Sequence, residues 1–388
     1  MPQVAINEQG AAIHAEGDLL RVKREGRTIR RLRLMDVDQL LLFGRVELTS
    51  GAVALLARRD VDVVFCTLKG AFRARLITRA SKNVMLRLAQ MRRAADSDTA
   101  LRIARAIATG KILHQRQVLL RAQRTLQSDD VAEAVGQMRR LAERARRETS
   151  IDTVRGFEGQ AAALYFRNFG RLIRSDHFSF TVRTRRPPRD PVNAALSFGY
   201  ALLTTLAETA VLQCGLEPMV GFFHQPAYGR PSLVLDLIEE FRPLVDTLVL
   251  RMINRRQLGP SDFQEHSEAS LAAMLVEPTG SGATGTAAPP TEDIFETTHE
   301  TDPPFDADEI DDSQGSGEQP ADHQPAVYLA DSGRRVFLTT FFHRMRERMY
   351  YPPREQTLQL RQIVEEQIYH LARVIEDKET EYIPFVPR

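Results

Sequence analysis

The spacing of apolar residues changes near Ser81, and this change constrains the fold more than any other feature of the sequence. Before it, short apolar segments alternate with glycine-containing turns, which is typical of strands in a meander or small sandwich. After it, apolar residues recur every three or four positions in stretches rich in alanine, leucine and arginine, which predicts helices. We therefore predict an α+β protein, with a small β-rich domain over residues 1–80 and a larger, all-helical domain over residues 81–388.

The individual elements follow from the same pattern. The predicted strands are residues 4–6, 12–14, 19–22, 40–43, 61–66 and 71–77, with a short helix over 52–59 that Thr49 or Ser50 can cap. The predicted helices of the second domain are residues 84–93, 98–120, 131–147, 156–171, 193–213, 233–253, 334–348 and 355–375.

Charge is distributed very unevenly along the chain. Residues 278–326 contain twelve aspartates and glutamates, seven prolines and five glycines, but neither lysine nor arginine. Since the whole chain has a formal charge of +1, the remainder carries +13, which favours a polyanionic partner such as nucleic acid. The acidic segment has too few apolar side chains to offset its ordering entropy, so we predict a disordered insertion within the helical domain.

Cysteine content and hydropathy bear on the compartment. The chain has only Cys66 and Cys214, which excludes a disulfide framework and a cysteine-based zinc module. No apolar run reaches the roughly 18 residues of a membrane span, and the first residues lack the features of a signal peptide. We expect a cytoplasmic protein that does not contact a membrane.

The most informative stretch begins at His224. A Pro-Ser pair ending at Ser232 predicts a helix start, and on that helix Asp236 and Glu239 are three residues apart, so they share a face opposite the apolar side. An acidic stripe of this kind is most often a solvated face. Beside His224 it also fits a metal site, and the residues alone leave both interpretations open.

Glu158 is a further candidate. It lies between two glycines at what we predict to be the front of an alanine-rich helix. Small neighbours allow a ligand or another helix to approach closely. The alternative is a first-turn glutamate that complements the helix dipole.

A basic, proline-rich segment leads into the helix predicted from residue 193. Its prolines prevent regular structure, so we expect its guanidinium groups to project from a stiff loop and contact phosphates. The candidate DNA-contacting residues are Arg183, Arg185, Arg186 and Arg189 in this segment, together with Arg242.

Three motifs then occur in a characteristic order. They are GFEGQAA at residues 156–162, RRPPxDPxNAALSFGY at 185–200, and His224 followed by SLxxDLxExFRP at 232–243. Together they resemble the CRISPR-associated endonuclease and integrase of spacer acquisition, and the segments KILHQ at 111–115 and GRRVFL at 333–338 agree with this. The resemblance covers most of the chain apart from the acidic segment. His114 departs from it, because asparagine is expected there.

The resemblance implies a β-domain that mediates homodimerisation and a helical catalytic domain that binds one Mg²⁺ or Mn²⁺. It implies Glu158, His224 and Glu239 as the catalytic metal ligands, with Asp236 as an accompanying acidic residue that acts through a neighbour or a water. The implied reaction is attack by the 3′-hydroxyl of a captured DNA fragment on a phosphodiester of a CRISPR repeat. The implied partners are double-stranded DNA and a small ferredoxin-like adaptation protein, whose dimer bridges two dimers of this chain.

Three alternatives stay open. One is a stand-alone metal-dependent nuclease that acts on branched DNA or RNA. Another is a non-catalytic nucleic-acid-binding scaffold, whose carboxylates only form a solvated face. The third is a zinc hydrolase, because two glutamates and a histidine also suit Zn²⁺; the basic body and the lack of a small-molecule motif disfavour it.

Overall fold

Two four-stranded sheets form the N-terminal part of the computed structural model, which describes residues 3–77, 81, 83–185, 187–266 and 325–387. Their strands are β1 (Gln3–Ile6), β2 (Ala11–Glu16), β3 (Leu19–Arg24), β4 (Arg27–Arg33), β5 (Gln39–Phe43), β6 (Val46–Leu48), β7 (Asp62–Cys66) and β8 (Phe72–Leu76). One sheet has the order β1-β5-β7-β8 and the other the order β4-β3-β2-β6. The two four-stranded sheets agree with the sandwich prediction, but parallel pairing of β1 with β5, β5 with β7 and β2 with β6 was not expected.

A helix, α1 (Ser50–Arg58), connects β6 to β7. The hydroxyl of Thr49 accepts a hydrogen bond from the backbone N–H of Ala52, so the predicted N-cap is confirmed.

The larger part of the chain is helical, which confirms the α+β prediction. Its described helices are α2 (Val84–Ala95), α3 (Ser97–Leu126), α4 (Asp129–Arg147), α5 (Ile151–Phe169), α6 (Pro191–Cys214), α7 (Ser232–Ile238), α8 (Arg242–Asn254), α9 (Asp331–Arg346) and α10 (Leu360–Ile375). Two antiparallel strand pairs accompany them, so this part is mostly helical but not all-helical as predicted: β9 (Phe263–His266) with β10 (Ala326–Leu329) and β11 (Arg348–Tyr351) with β12 (Gln356–Gln359).

Several predicted helix boundaries are wrong, as at the end of α3, which continues to Leu126 instead of ending at residue 120. Three of the differences have a clear local cause. α5 begins at Ile151 rather than at residue 156, because Ser150 provides an N-cap for the N–H of Thr153. The helix predicted over 233–253 is divided into α7 and α8 by a turn at residues 239–241, and Pro243 lies in the first turn of α8, where its missing N–H costs nothing. The helix predicted over 355–375 begins only at Leu360, because β12 precedes it.

The sheet that contains β5 is buried on both faces. Leu40 and Leu42 point into the core of the β-rich part, whereas the alternate side chains Leu41, Phe43 and Val64 join the large core of the helical part. A sheet covered on both faces needs continuous apolar strands, which explains the apolar runs in the sequence. The β-rich and helical parts therefore share a packed interface.

A buried polar cluster lies at this interface. The hydroxyl of Thr209 on α6 donates to Asp62 Oδ2 at 3.0 Å, and Gln39 Nε2 donates to that hydroxyl at 2.5 Å. Arg75 Nη2 is 3.0 Å from Glu208 Oε2, and its side chain is only 4% exposed. Charged groups that have lost their hydration water are stable only when their partners are well placed. The ion pair therefore favours one arrangement of α6 against the sheet.

α6 is a long helix that is mostly buried in the fold. By length and composition it could cross a membrane, so the expectation that no segment of this kind occurs is wrong; however, 72% of its apolar window is buried inside the protein. At Gly199 an added Cβ would lie 2.5 Å from Val245 Cγ1, so only glycine allows α8 to approach this closely. Its apolar character is thus that of a core helix.

The segment predicted as a disordered insertion lies outside the described residues except for Pro325 and Ala326, and Ala326 begins β10. β9 and β10 pair with His266 opposite Ala326. The chain therefore leaves and re-enters the described structure at adjacent positions.

Deletion of residues 280–319 should change the melting temperature by less than about 3 °C, because loop closure depends only weakly on loop length once β9 and β10 hold the two ends together. Differential scanning calorimetry measures this. Val327→Pro is the control: it removes the N–H that donates to the carbonyl of Pro188 and should lower the melting temperature. A fall of 10 °C or more on deletion would show that the segment contributes to the folded core.

Arg75→Met should lower the free energy of unfolding by about 3–5 kcal/mol, because it leaves Glu208 and Asp62 without their buried cation. Urea denaturation at neutral pH measures the loss, and adding Glu208→Gln to the variant should recover part of it. The matched control is Arg59→Met, which removes an exposed ion pair with Asp18 and should cost less than about 1 kcal/mol. Equal costs for the two substitutions would contradict this account of the interface.

Candidate active site

Glu158 lies in the middle of α5 and is 7% exposed. It is therefore not a first-turn glutamate, and the interpretation as a helix-dipole partner is wrong. Ala161 and Ala162, in the next turn, are buried and small, so α5 packs closely against its neighbours. The carboxylate is held at a fixed position inside the protein.

Glu239 lies in the turn between α7 and α8, which we call the acidic turn (residues 239–241). Asp236 is fully buried and Glu239 is 2% exposed. Every other residue of α7 is buried as well. We predicted that only the apolar face of this helix is buried. The structure shows that the acidic face is buried too. The interpretation of the acidic stripe as a solvated face is wrong.

Lys111 on α3 joins the two glutamates. Its Nζ is 2.5 Å from Glu158 Oε1 and 2.5 Å from Glu239 Oε2, and its side chain is 13% exposed. Arg242 Nε is 3.0 Å from the other oxygen of Glu239. Two carboxylates from separate elements thus share one buried cation.

The charges in this cluster set the ionisation of its members. Burial raises the pKa of Glu239, but Arg242, Lys111 and His224 outweigh burial and lower it to about 2. Burial lowers the pKa of Lys111, but Glu158 and Glu239 outweigh burial, so that this pKa is raised overall. Both groups are therefore charged at neutral pH.

Asp236 builds the loop that carries His224. Its Oδ2 accepts the N–H groups of Phe222 at 2.6 Å and Phe223 at 2.9 Å. Its Oδ1 accepts the N–H of His224 at 2.9 Å and lies 2.5 Å from Nδ1 of the same residue. An added Cβ at Gly221 would be 2.8 Å from the Asp236 carboxylate, so the loop can wrap around it only with glycine there.

The orientation of the His224 ring follows from this contact. A carboxylate accepts, so Nδ1–H donates to Asp236, and in the neutral ring Nε2 then carries the lone pair. His224 is 6% exposed. Arg155, three residues before Glu158 on α5, donates from Nε to the carbonyl of Phe223 at 2.9 Å, which joins the histidine loop to the helix of Glu158.

The structure thus places the predicted residues around one region, with Lys111 between the two glutamates. Among the described residues, no three acidic, histidine or cysteine side chains already form a metal cage. The assignment of Glu158, His224 and Glu239 as metal ligands and of Asp236 as their accompanying residue stays a prediction.

Sequence reasoning did not identify Lys111 as part of the site, although a signal was present. The chain has five lysines among its 52 basic residues. Lys111 is four residues after the buried Ile107 and three before the buried His114, so it lies on the buried side of α3. A rare lysine on an apolar helix face requires a buried anion.

His114 has a larger role than expected from its departure from the family pattern. It is 3% exposed, and its Nδ1 lies 2.6 Å from the carbonyl oxygen of Glu240 in the acidic turn. Burial is the main cause that lowers its pKa to about 4, so the ring is neutral and Nδ1–H donates to that carbonyl. The side chain therefore supports the acidic turn from α3.

Two of the predicted DNA-contacting arginines have intramolecular roles. Arg242 is 8% exposed and is engaged with Glu239, with its guanidinium over the ring of Tyr200 at 4.8 Å. Arg183 donates to the side chains of Asn193 at 2.8 Å and Ser197 at 2.9 Å. These two guanidinium groups organise the protein itself.

The rest of the basic segment is less exposed than expected. Arg185 and Arg189 are half-buried, as is Arg183, so the prediction of guanidinium groups projecting freely from a loop is wrong for these three. Arg186 lies outside the described residues. Contact of Arg185 and Arg189 with DNA stays a prediction.

A basic groove runs between α4 and α5. Its volume is about 430 Å³, and its lining residues include Arg140, Arg144, Arg167 and Gln160. The guanidinium of Arg144 lies 4.4 Å from the ring centre of Phe157, which directly precedes Glu158. This surface offers several arginines to a phosphate backbone, on the face of α5 opposite the one that carries Glu158.

Neither cysteine has the environment of a nucleophile. Cys66 and Cys214 are free and buried, and burial raises the pKa of each thiol to about 12. Both are core residues, as predicted for Cys66.

Comparison with known proteins places these observations in a family. A family model described as CRISPR associated protein Cas1 matches residues 4–280. CRISPR-associated endonuclease Cas1 2 of Rhodospirillum rubrum is 39% identical over 272 residues, which is 67% of this chain and 78% of that protein. The Cas4/endonuclease Cas1 fusion of Geobacter sulfurreducens is 37% identical over 262 residues, and this chain spans only 47% of its length.

Solved structures share the fold. A CAS1 protein from Thermotoga maritima superposes with a TM-score of 0.70 and 21% identity, covering 97% of each chain. A Cas6-RT-Cas1–Cas2 complex contains a chain that matches 99% of this one with a TM-score of 0.73 and 19% identity, over 36% of its own length.

Asp236→Asn should lower the free energy of unfolding by at least about 2 kcal/mol, because an amide NH₂ would face backbone N–H donors that each lose a buried partner. Urea denaturation measures this. The control is the exposed Glu47→Gln, with the same loss of charge and an expected change below about 0.5 kcal/mol. A similarly small change for both variants would contradict the role given to Asp236.

Proposed function

This chain belongs to the Cas1 family of CRISPR-associated endonucleases, and from that premise we propose that it is a divalent-metal-dependent DNA endonuclease and integrase. Its reaction inserts fragments of foreign DNA as new spacers into a CRISPR array. We place this activity in the cytoplasm, with Mg²⁺ or Mn²⁺ as the cofactor.

The observation that carries the proposal is the buried carboxylate pair. Glu158 and Glu239 come from elements about 80 residues apart in the chain, yet both lie 2.5 Å from the same ammonium nitrogen. Burying two carboxylates side by side is unfavourable unless a cation lies between them. A protein that only binds nucleic acid has no need of such a pair, so its burial disfavours the scaffold alternative.

The donor set fits a divalent ion. Two carboxylates and a neutral imidazole suit Mn²⁺, and also Mg²⁺ with waters as further ligands. The position of Lys111 supports this, because a cation is already accommodated between the two glutamates. Glu158, Glu239 and the Nε2 of His224 would hold the ion, which supplies polarisation of a phosphodiester and stabilises charge on the leaving oxygen.

The remaining residues position these groups. Asp236 holds His224 in the tautomer that leaves Nε2 free of a proton. Arg242 fixes one oxygen of Glu239, and Lys111 is available to neutralise a phosphate when it is not paired with the glutamates. In the joining step the oxygen of a DNA 3′-hydroxyl loses its proton and forms a bond to a repeat phosphorus. The bond from that phosphorus to the 3′-oxygen of the repeat breaks, and this leaving oxygen takes up a proton to become a new 3′-hydroxyl. The protein needs no covalent nucleophile for this reaction.

DNA binding would use phosphate contacts. The groove between α4 and α5 supplies Arg140, Arg144 and Arg167, which would hold the phosphates of a duplex. The assembly we propose is a homodimer formed through the β-rich part, with two dimers bridged by a small ferredoxin-like partner. A matching solved chain in a Cas6-RT-Cas1–Cas2 complex supports a partner of this kind.

Glu158→Gln, His224→Ala and Glu239→Gln should each lower DNA joining by at least roughly 10²-fold, since each removes a group that stabilises the transition state. DNA affinity and dimerisation should be unchanged, because we assign DNA binding to the arginines of the groove and dimerisation to the β-rich part. The assay joins a labelled duplex with 3′-hydroxyl ends to a supercoiled plasmid carrying repeats, with Mn²⁺ and with or without the small partner.

The control variant is Glu133→Gln, an exposed glutamate on α4 that should retain full activity. A duplex ending in 3′-deoxynucleotides should not be joined. Normal joining by any of the three variants would refute the ligand assignment. Metal-dependent cleavage without joining would identify a stand-alone nuclease, and neither activity would identify a scaffold.

A further inference from the structure

Glu240, the second residue of the acidic turn, has a different set of partners from Glu239. It is 1% exposed, and its carboxylate accepts three hydrogen bonds. Tyr382 donates its hydroxyl to Oε1 at 2.9 Å, and the N–H of Phe385 donates to Oε2 at 2.7 Å. Gln367 on α10 completes the set at 2.9 Å from Oε1. Two of the three donors therefore come from one short segment, residues 382–385.

The 382–385 segment is anchored although it contains no helix or strand. Tyr382 is 5% exposed and its ring stacks on His370 at 5.2 Å, while Phe385 is 1% exposed and stacks on Phe241 of the acidic turn at 5.7 Å. The N–H of Ile383 donates to Nε2 of His370 at 2.9 Å. These contacts hold the segment against both α10 and the turn.

The same segment contacts α3 directly beside Lys111. At Gly110 an added Cβ would lie 2.4 Å from the Cβ of Pro384, so no side chain fits between the helix and the segment. His114, one turn further, contacts both the ring of Phe385 and the carbonyl of Glu240. The 382–385 segment thus touches the two elements that carry Lys111 and Glu239.

We propose that the 382–385 segment is a positioning element of the active site: by holding the Glu240 carboxylate and packing against Gly110, it fixes the acidic turn that presents Glu239 to Glu158 and to the metal ion. This inference rests on the proposed function for its metal. Tyr382, Pro384 and Phe385 act through Glu240 and α3 and do not touch the reacting atoms.

The test compares Tyr382→Phe, which removes one hydroxyl and keeps the stacked ring, with Phe385→Ala. The matched control is Ile383→Ala, because that side chain is 53% exposed on the same segment. Titration of the full-length protein with Mn²⁺ alone should give a Kd about 10-fold higher for Phe385→Ala, the scale of losing a group that orients a metal ligand, and a smaller rise for Tyr382→Phe. In the joining assay kcat should fall with KM for DNA unchanged, at temperatures well below each variant's melting temperature.

Hydrogen exchange at the amides of residues 239–241 reports on the turn without any metal. We expect faster exchange in Tyr382→Phe and Phe385→Ala and no change in Ile383→Ala. If exchange, Mn²⁺ affinity and kcat in both variants matched those of Ile383→Ala, the positioning role would be overturned. If exchange accelerated while wild-type protein neither bound Mn²⁺ nor joined DNA, the control of the turn would be supported and the proposed function would be the part that fails.

Discussion

The burial of two carboxylates around one ammonium group is the constraint on which the rest of the site depends. Glu158 and Glu239 lie side by side inside the protein because Lys111 lies between them and Arg242 beside one of them. This arrangement is not explained by folding stability, because apolar residues of similar size at these positions would avoid the free-energy cost of burying charges. It is what a protein needs when it must hold a charged centre at a defined position.

The surrounding structure is organised to keep these charges in place. α7 is short and buried on every side, the loop of His224 closes around the carboxylate of Asp236, and Arg155 ties that loop to α5. Behind the acidic turn, Glu240 forms a second set of hydrogen bonds with residues from distant parts of the chain. Consecutive glutamates thus divide two tasks, since one faces the charged cluster and the other anchors the turn. The irregular turn therefore has side-chain contacts on both sides that hold its position.

Much of this could be predicted from sequence, because periodicity and helix caps are local signals. The change of period near Ser81 gave the α+β class, and motifs in order pointed to the two glutamates that the structure brings together at Lys111. Long-range packing decided the rest. The break at residues 239–241, the full burial of α7 and the intramolecular engagement of Arg183 depend on contacts with elements far away in the chain. Lys111 was missed for the same reason: its partners lie 47 and 128 residues further along.

The most direct test of the account is to locate the cation. A crystal of the protein grown with Mn²⁺, measured at the manganese absorption edge, gives an anomalous difference map that identifies the ion and its ligands. The account predicts one peak at about 2.0–2.6 Å from carboxylate oxygens of Glu158 and Glu239 and from Nε2 of His224, with Lys111 moved away from its position between the glutamates. A map with no peak there and Lys111 still bridging the two carboxylates, at saturating Mn²⁺, would contradict it.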